Sequence, residues 1–260
     1  MGTRWFPKFG GKGGNQAVAA AKLGAEVRMV AAVGQDGFAD ELIAGLEAAG
    51  VDHNEVKRVD TGSGMSVAII DSDGDYSAVV VSGSNALIDT SIVTNPDLYT
   101  DASVLLLQNE IPAATNLAAA KAARASNVRV IWNAAPMRPD NESLLHEVDL
   151  IIVNAIEAEQ FTGLKVTSLN EAKNAALKLC ELDVDAVVTA GAAGCAWASK
   201  SGTAKQLAAQ RVDNAQAHGA GDVFCGALAA RLIRASLEES IEFASEKANR
   251  HVAGLPIYTS

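Results

Sequence analysis

The chain has 260 residues, 49% hydrophobic and 20% charged, with a formal net charge of −10, which bounds it to one large globular α/β domain or one domain with a small appendage. The acidic balance argues against a nucleic-acid surface, and no apolar run approaches the roughly 20 residues of a membrane-spanning helix. Residues 1–10 lack the charged and apolar regions of a secretory signal, so a cytoplasmic protein that binds neither membrane nor nucleic acid is expected.

Ala-rich stretches of helical period alternate with short Val/Ile/Leu runs, the pattern of parallel strands buried under helices on both faces. In chain order the reading is a helix over 15–23, a strand over 27–33 and a helix over 39–49. Two β-rich runs, 64–70 and 76–81, follow, joined by the turn Asp71-Ser72-Asp73-Gly74-Asp75, and read as a hairpin projecting from the body as a lid. Then come strands over 103–108, 128–133, 150–153 and 186–189, helices over 113–125 and 168–182, and two closing helices over 221–235 and 237–253. The fold expected is a doubly wound, mostly parallel three-layer α/β/α sheet, one domain over 1–260 with 62–83 as a β-hairpin lid element. Cys180, Cys195 and Cys225 are odd in number and widely spaced, so they are read as small core hydrophobes rather than as a disulfide or zinc framework.

Four segments could carry chemistry. Gly10-Gly11-Lys12-Gly13-Gly14-Asn15-Gln16 precedes a helix; its glycines admit a ligand close to the backbone, and Lys12 and Asn15 can bond hydroxyls. A tight turn is the plainer reading of such a cluster, and the GxxxxGK[ST] spacing of a phosphate loop is not met. Gly219-Ala220-Gly221-Asp222 opens an amphipathic helix, where successive amides form an anion nest and a carboxylate is favoured in the first turn. Asp222 there either stabilises the helix start or serves as the base of a phosphoryl transfer, whose other needs are an in-line hydroxyl and preorganised charge. Asn154 and Glu157 follow a strand, and fit equally a helix capping box or a water-mediated magnesium site. Thr189, Gly191 and Gly194 offer a flat backbone surface after another strand, and Glu110 lies just beyond the strand ending at Gln108.

These residues carry a resemblance. GGKGGNQAVAAAKLGAEV (10–27) is similar to the first signature of the ribokinase family, the phosphofructokinase-B-type carbohydrate kinases, and GAGDVFCGAL (219–228) resembles the second. LLLQNEIP (105–112), NAAPM (133–137), VNAIEAEQFTG (153–163) and VVTAGAAGC (187–195) resemble further family segments in the same order. The resemblance implies an ATP- and magnesium-dependent kinase acting on a sugar hydroxymethyl group, with ribose converted to ribose 5-phosphate as the expected reaction. It implies that Gly11, Lys12, Asn15 and Glu110 contact the sugar and that Asp222 is the catalytic base. Gly219, Ala220 and Gly221 would form the anion hole, Glu157 would serve magnesium through water, and Asn154, Thr189, Gly191, Gly194 and Ser245 would lie along the nucleotide. It also implies a homodimer built through the lid.

Three departures stand beside it. The family opens with a strand and a sugar-binding aspartate, whereas the glycine signature here begins ten residues in; that strand, that aspartate and part of the lid sheet are expected to be missing. Gln216-Ala217-His218 stands where the family has Asp-Thr-Thr, and the lost aspartate belongs to a monovalent-cation site, which argues against potassium activation. Ser245 replaces an adenine-side Asn. A kinase of another sugar or of a nucleoside, and a truncated, non-catalytic sugar- or nucleotide-binding protein, remain as alternatives.

Overall fold

The computed structural model describes residues 6–70, 76–212 and 218–258. The central sheet has six strands in the order β10-β9-β8-β7-β6-β5: β5 (Val104–Leu107), β6 (Arg129–Asn133), β7 (Leu150–Asn154), β8 (Asp185–Thr189), β9 (Gly194–Ala198) and β10 (Ala204–Ala208). β5 to β8 run parallel, and β9 and β10 add antiparallel strands at one edge.

Side chains along the central strands alternate between two apolar layers, as the pleat requires. Ile131, Leu150, Ile152 and Val187 pack with Phe224, Leu228 and Ile241, from α7 (Ala220–Leu232) and α8 (Leu237–Val252). Trp132, Ile151, Val153 and Val188 pack on the opposite face with the alanines of α4 (Ala113–Ala125) and α6 (Leu169–Cys180). Ala119, Ala120, Ala123, Ala172, Ala175 and Ala176 are buried there, so the alanine richness of the sequence serves close approach of helix to sheet. Trp132 is fully buried, donates from Nε1 to Asn109 Oδ1 at 2.9 Å and meets Phe161 edge-on. Both faces of the sheet are therefore covered, and the doubly wound class holds.

The amino-terminal part is built from α1 (Lys12–Lys22), β1 (Arg28–Val33), α2 (Gly37–Ala48) and β2 (Asp52–Arg58), with β1 and β2 as a separate parallel pair. The opening strand implied by the resemblance has no counterpart among the described residues. β3 (Met65–Ile70) and β4 (Tyr76–Val81) form the expected antiparallel hairpin; its turn, 71–75, lies outside the described residues. A single turn of helix, α3 (Thr90–Val93), follows. Cys195 and Cys225 are buried, Cys180 is half-buried, and all three thiols are free; burial pushes Cys180 up to about 11 and Cys195 up to about 12.

Four elements were not anticipated, β2, α3, β9 and β10, and α5 (Ala155–Thr162) was foreseen only through the capping-box reading of Asn154 and Glu157. β2, with the sequence DHNEVKR, is half-exposed and carries no apolar alternation. β9, GCAWA, is buried on both faces and built mostly of small residues. Gly194 opens it at φ 119°, where a side chain would meet Leu207 O at 2.1 Å, so its lack of a Cβ is what lets β10 lie alongside.

Candidate active site

The polar groups gather at the carboxyl ends of the parallel strands, with the amino termini of α1, α5 and α7 facing them. Open α/β sheets bind ligands at this edge. Glu110 follows β5, Asn133 ends β6, Asn154 ends β7 and Thr189 ends β8.

α1 and α7 carry the two glycine segments, and they cross closely because Gly226 has no side chain: a Cβ there would stand 2.4 Å from Gln16 O and 2.9 Å from Ala19 Cβ. Even a methyl group would cost about 1–3 kcal/mol in overpacking. This crossing sets Asn15 and Gln16 against Asp222 across more than 200 residues of chain: Asn15 Nδ2 donates to Asp222 Oδ2 at 2.8 Å, and Gln16 Nε2 donates to Oδ1 at 3.1 Å. Asp222 sits in the first turn of α7, half-buried, with its carboxylate toward the helix that carries Lys12.

Gly219 caps α7 at φ 83°, in the left-handed region, where glycine is at ease and other residues are strained. Ala220 and Gly221 begin the helix, and a Cβ on Gly221 would meet nothing within 4 Å, so its backbone faces open space. His251, from α8, lies 2.9 Å from His218 O through Nε2 and braces this turn. Gln216 and Ala217, on which the cation expectation rests, lie outside the described residues.

Gly11 caps α1 at φ 84°, and the first amide of that helix, Lys12 N, donates to Glu110 Oε2 at 2.7 Å. A carboxylate at a helix amino terminus satisfies an orphan donor and opposes the helix dipole. Burial nonetheless raises Glu110 above its ordinary value, opposed by the Lys12 amide and charge and reinforced by Asp222. Glu157 is likewise raised by burial, with the Asn154 amide and the Lys12 charge pulling it back. Lys12, Glu110, Glu157 and Asp222 thus share one electrostatic neighbourhood.

Of the two readings of Asn154 and Glu157, the capping box is present: Asn154 N donates to Glu157 Oε2 at 2.8 Å, and Glu157 N donates to Asn154 Oδ1 at 2.9 Å. That role does not consume the second carboxylate oxygen. Among the described residues no three His, Cys, Asp or Glu side chains gather as metal ligands. A lone buried carboxylate fits magnesium held mainly by waters and phosphates, not a protein cage.

Thr189 contacts Val153 O at 3.4 Å through its hydroxyl, and Gly191 follows at φ 55° with nothing within 4 Å of a Cβ position. Gly194, by contrast, is buried and serves the β10 contact. Ser245 is buried on α8.

Three residues that back Asp222 escaped the reading of the sequence: Gln16, which donates to it, and Gln108 and Asn133, which bond Gln16. Gln16 is only 1% exposed. Its signal was available: Gln16, Ala19, Ala20 and Leu23 recur at helical spacing, which places a polar amide on a buried face, where it must find partners.

An open α/β sheet with a glycine turn and a carboxylate at a helix start, opposite a second glycine turn bearing a lysine, is the arrangement that the resemblance to carbohydrate kinases implied. The chain belongs to the pfkB family of carbohydrate kinases, whose profile matches residues 4–252. It is similar to ribokinase of Mus musculus, 33% identical over 93% of this chain and 77% of that protein. It is also similar to deoxyribokinase of Salmonella typhi, 31% identical over 92% of this chain and 78% of that protein. The structure of Arabidopsis thaliana ribokinase complexed with ribose and ATP superposes with a TM-score of 0.83 at 30% identity, over 94% of this chain and 81% of that one.

Proposed function

We propose that the protein transfers the γ-phosphoryl group of ATP to the hydroxymethyl oxygen of ribose, giving ribose 5-phosphate and ADP. The observation that carries this reading is the position of Asp222: a half-buried carboxylate at the start of α7, beside the Gly219 to Gly221 turn and bonded to Asn15 of the lysine-bearing helix. In the reaction the sugar oxygen attacks the γ-phosphorus, the bond to the β–γ bridging oxygen breaks, and the hydroxyl proton passes to Asp222 and then to solvent. Peptide N–H groups at Gly219, Ala220 and Gly221 face the transferring oxygens, where preorganised donors stabilise developing charge. Gly11, Lys12, Asn15 and Glu110 hold the sugar. Asn154, Thr189, Gly191 and Ser245 border the nucleotide, and Gly194 supports that loop from behind. Glu157 would hold magnesium through water, and the ion would supply neutralisation of the phosphate charge.

Deoxyribose is the second reading, since the deoxyribokinase relative is nearly as similar as the ribokinase one. The hairpin β3–β4 forms a lid through which two copies also join in a homodimer. A panel of ribose, deoxyribose, fructose, inosine and ketodeoxygluconate with ATP and magnesium tests the substrate by ADP release. Ribose should give the highest kcat/KM; a higher value for any other member reassigns the substrate to it.

A further inference from the structure

Asp222 is held from two sides by two different amides. Asn15, partly exposed, reaches Oδ2; Gln16, almost wholly buried, reaches Oδ1. The second contact is fixed by what stands behind it.

A glutamine amide offers two N–H donors and one carbonyl acceptor, and Gln16 uses all of them. Its Oε1 accepts from Gln108 Nε2 at 2.6 Å, so its Nε2 faces the other way, donating to Asn133 Oδ1 at 3.0 Å as well as to Asp222. The partners are themselves rooted in the sheet backbone. Asn133 Nδ2 donates to Ile152 O at 3.2 Å, which turns Asn133 Oδ1 toward Gln16, and Gln108 Nε2 also reaches Leu106 O at 3.3 Å. Gly13 makes room for Gln108, since a Cβ there would lie 3.1 Å from Gln108 Oε1. The amide of Gln16 therefore cannot flip without setting its carbonyl against the Asp222 carboxylate and its N–H groups against the Gln108 donor.

We propose that Gln16 is a positioning residue for Asp222, anchoring Oδ1 from the protein interior so that Oδ2, on the cleft side beside Asn15, is the oxygen that takes the substrate proton. The inference rests on the assignment of Asp222 as the base. It gives the two oxygens of one carboxylate different tasks: Asn15 can yield its bond to an incoming hydroxyl, whereas Gln16 keeps its own throughout.

Gln16→Met, similar in size but without donors or carbonyl, is the direct test, measured as kcat, KM and the pH profile of kcat/KM. The expected result is a fall in kcat of about tenfold or more with KM for sugar and ATP within about twofold, and an acid limb moved to higher pH. Gln16→Glu retains the acceptor for Gln108 but sets a second carboxylate beside Asp222, and should lose more. Gln108→Met touches no atom of Asp222 and covers the case in which the Gln16 variants fail to fold. It should lower kcat several-fold, again at unchanged KM. A folded Gln16→Met enzyme with parental kcat and pH profile, a change confined to KM, or a Gln108→Met enzyme with parental kcat overturns the proposal while the kinase reading stands. A parent protein that forms no ADP with any sugar removes that reading and the proposal together.

Discussion

Glu110 shows how one carboxylate serves helix and site at once. It accepts the first amide of α1 and stands in the field of both Lys12 and Asp222. Because burial raises it above its ordinary value, the folded state binds its proton more tightly than the unfolded chain does. Its contribution to stability is therefore greatest at low pH. It declines as pH rises from the unfolded glutamate value to the higher folded one, and is level beyond. Glu110→Gln keeps an acceptor for Lys12 N and cannot ionise. The melting temperature of this variant relative to the parent should rise as pH increases above the ordinary glutamate value, followed by calorimetry; a difference that stays constant or falls would show that burial does not govern this group.

At the level of elements, the hairpin β3–β4 carries a group of exposed apolar side chains. Met65 pairs with Val81 and Val67 with Val79, so these four share a face with Ile69, and all five are exposed, from 40% at Met65 to 59% at Val79. A two-stranded hairpin has little stability alone, and contiguous exposed apolar surface marks an interaction site. Val67→Lys combined with Val79→Lys should convert the dimer proposed for this face to a monomer in sedimentation equilibrium. An unchanged mass would place the interface elsewhere. The hairpin was legible because alternation, β-branched residues and an Asp/Gly turn coincide. β2 and β10 were not, since edge strands with polar side chains lack the apolar period, and β9 was hidden by its small residues. α5 is only eight residues long, too short for a helical period to declare itself, although its capping box was one of the two readings of Asn154 and Glu157.

For the molecule as a whole, the layered fold followed from the alternation of buried runs with alanine-rich helices, and the two glycine segments announced the site. Their meeting was implied by the resemblance alone, since no local pattern supplies it. The contact of Asn15 and Gln16 with Asp222 depends on the α1–α7 crossing at Gly226, and the place of Gln16 depends on Gln108 and Asn133 from two strands. Pairings of that range are set by tertiary packing rather than by any local pattern. If this crossing builds a catalytic base, ADP formation by the parent and by Asp222→Ala, with ribose and saturating magnesium-ATP and alongside calorimetric sugar binding, separates the two proteins. The parent should turn over in the presence of sugar, and Asp222→Ala should lose at least about a hundredfold with binding preserved. Equal turnover in the two proteins, or a parent that binds sugar and releases no ADP, would contradict the assignment of Asp222 as the base.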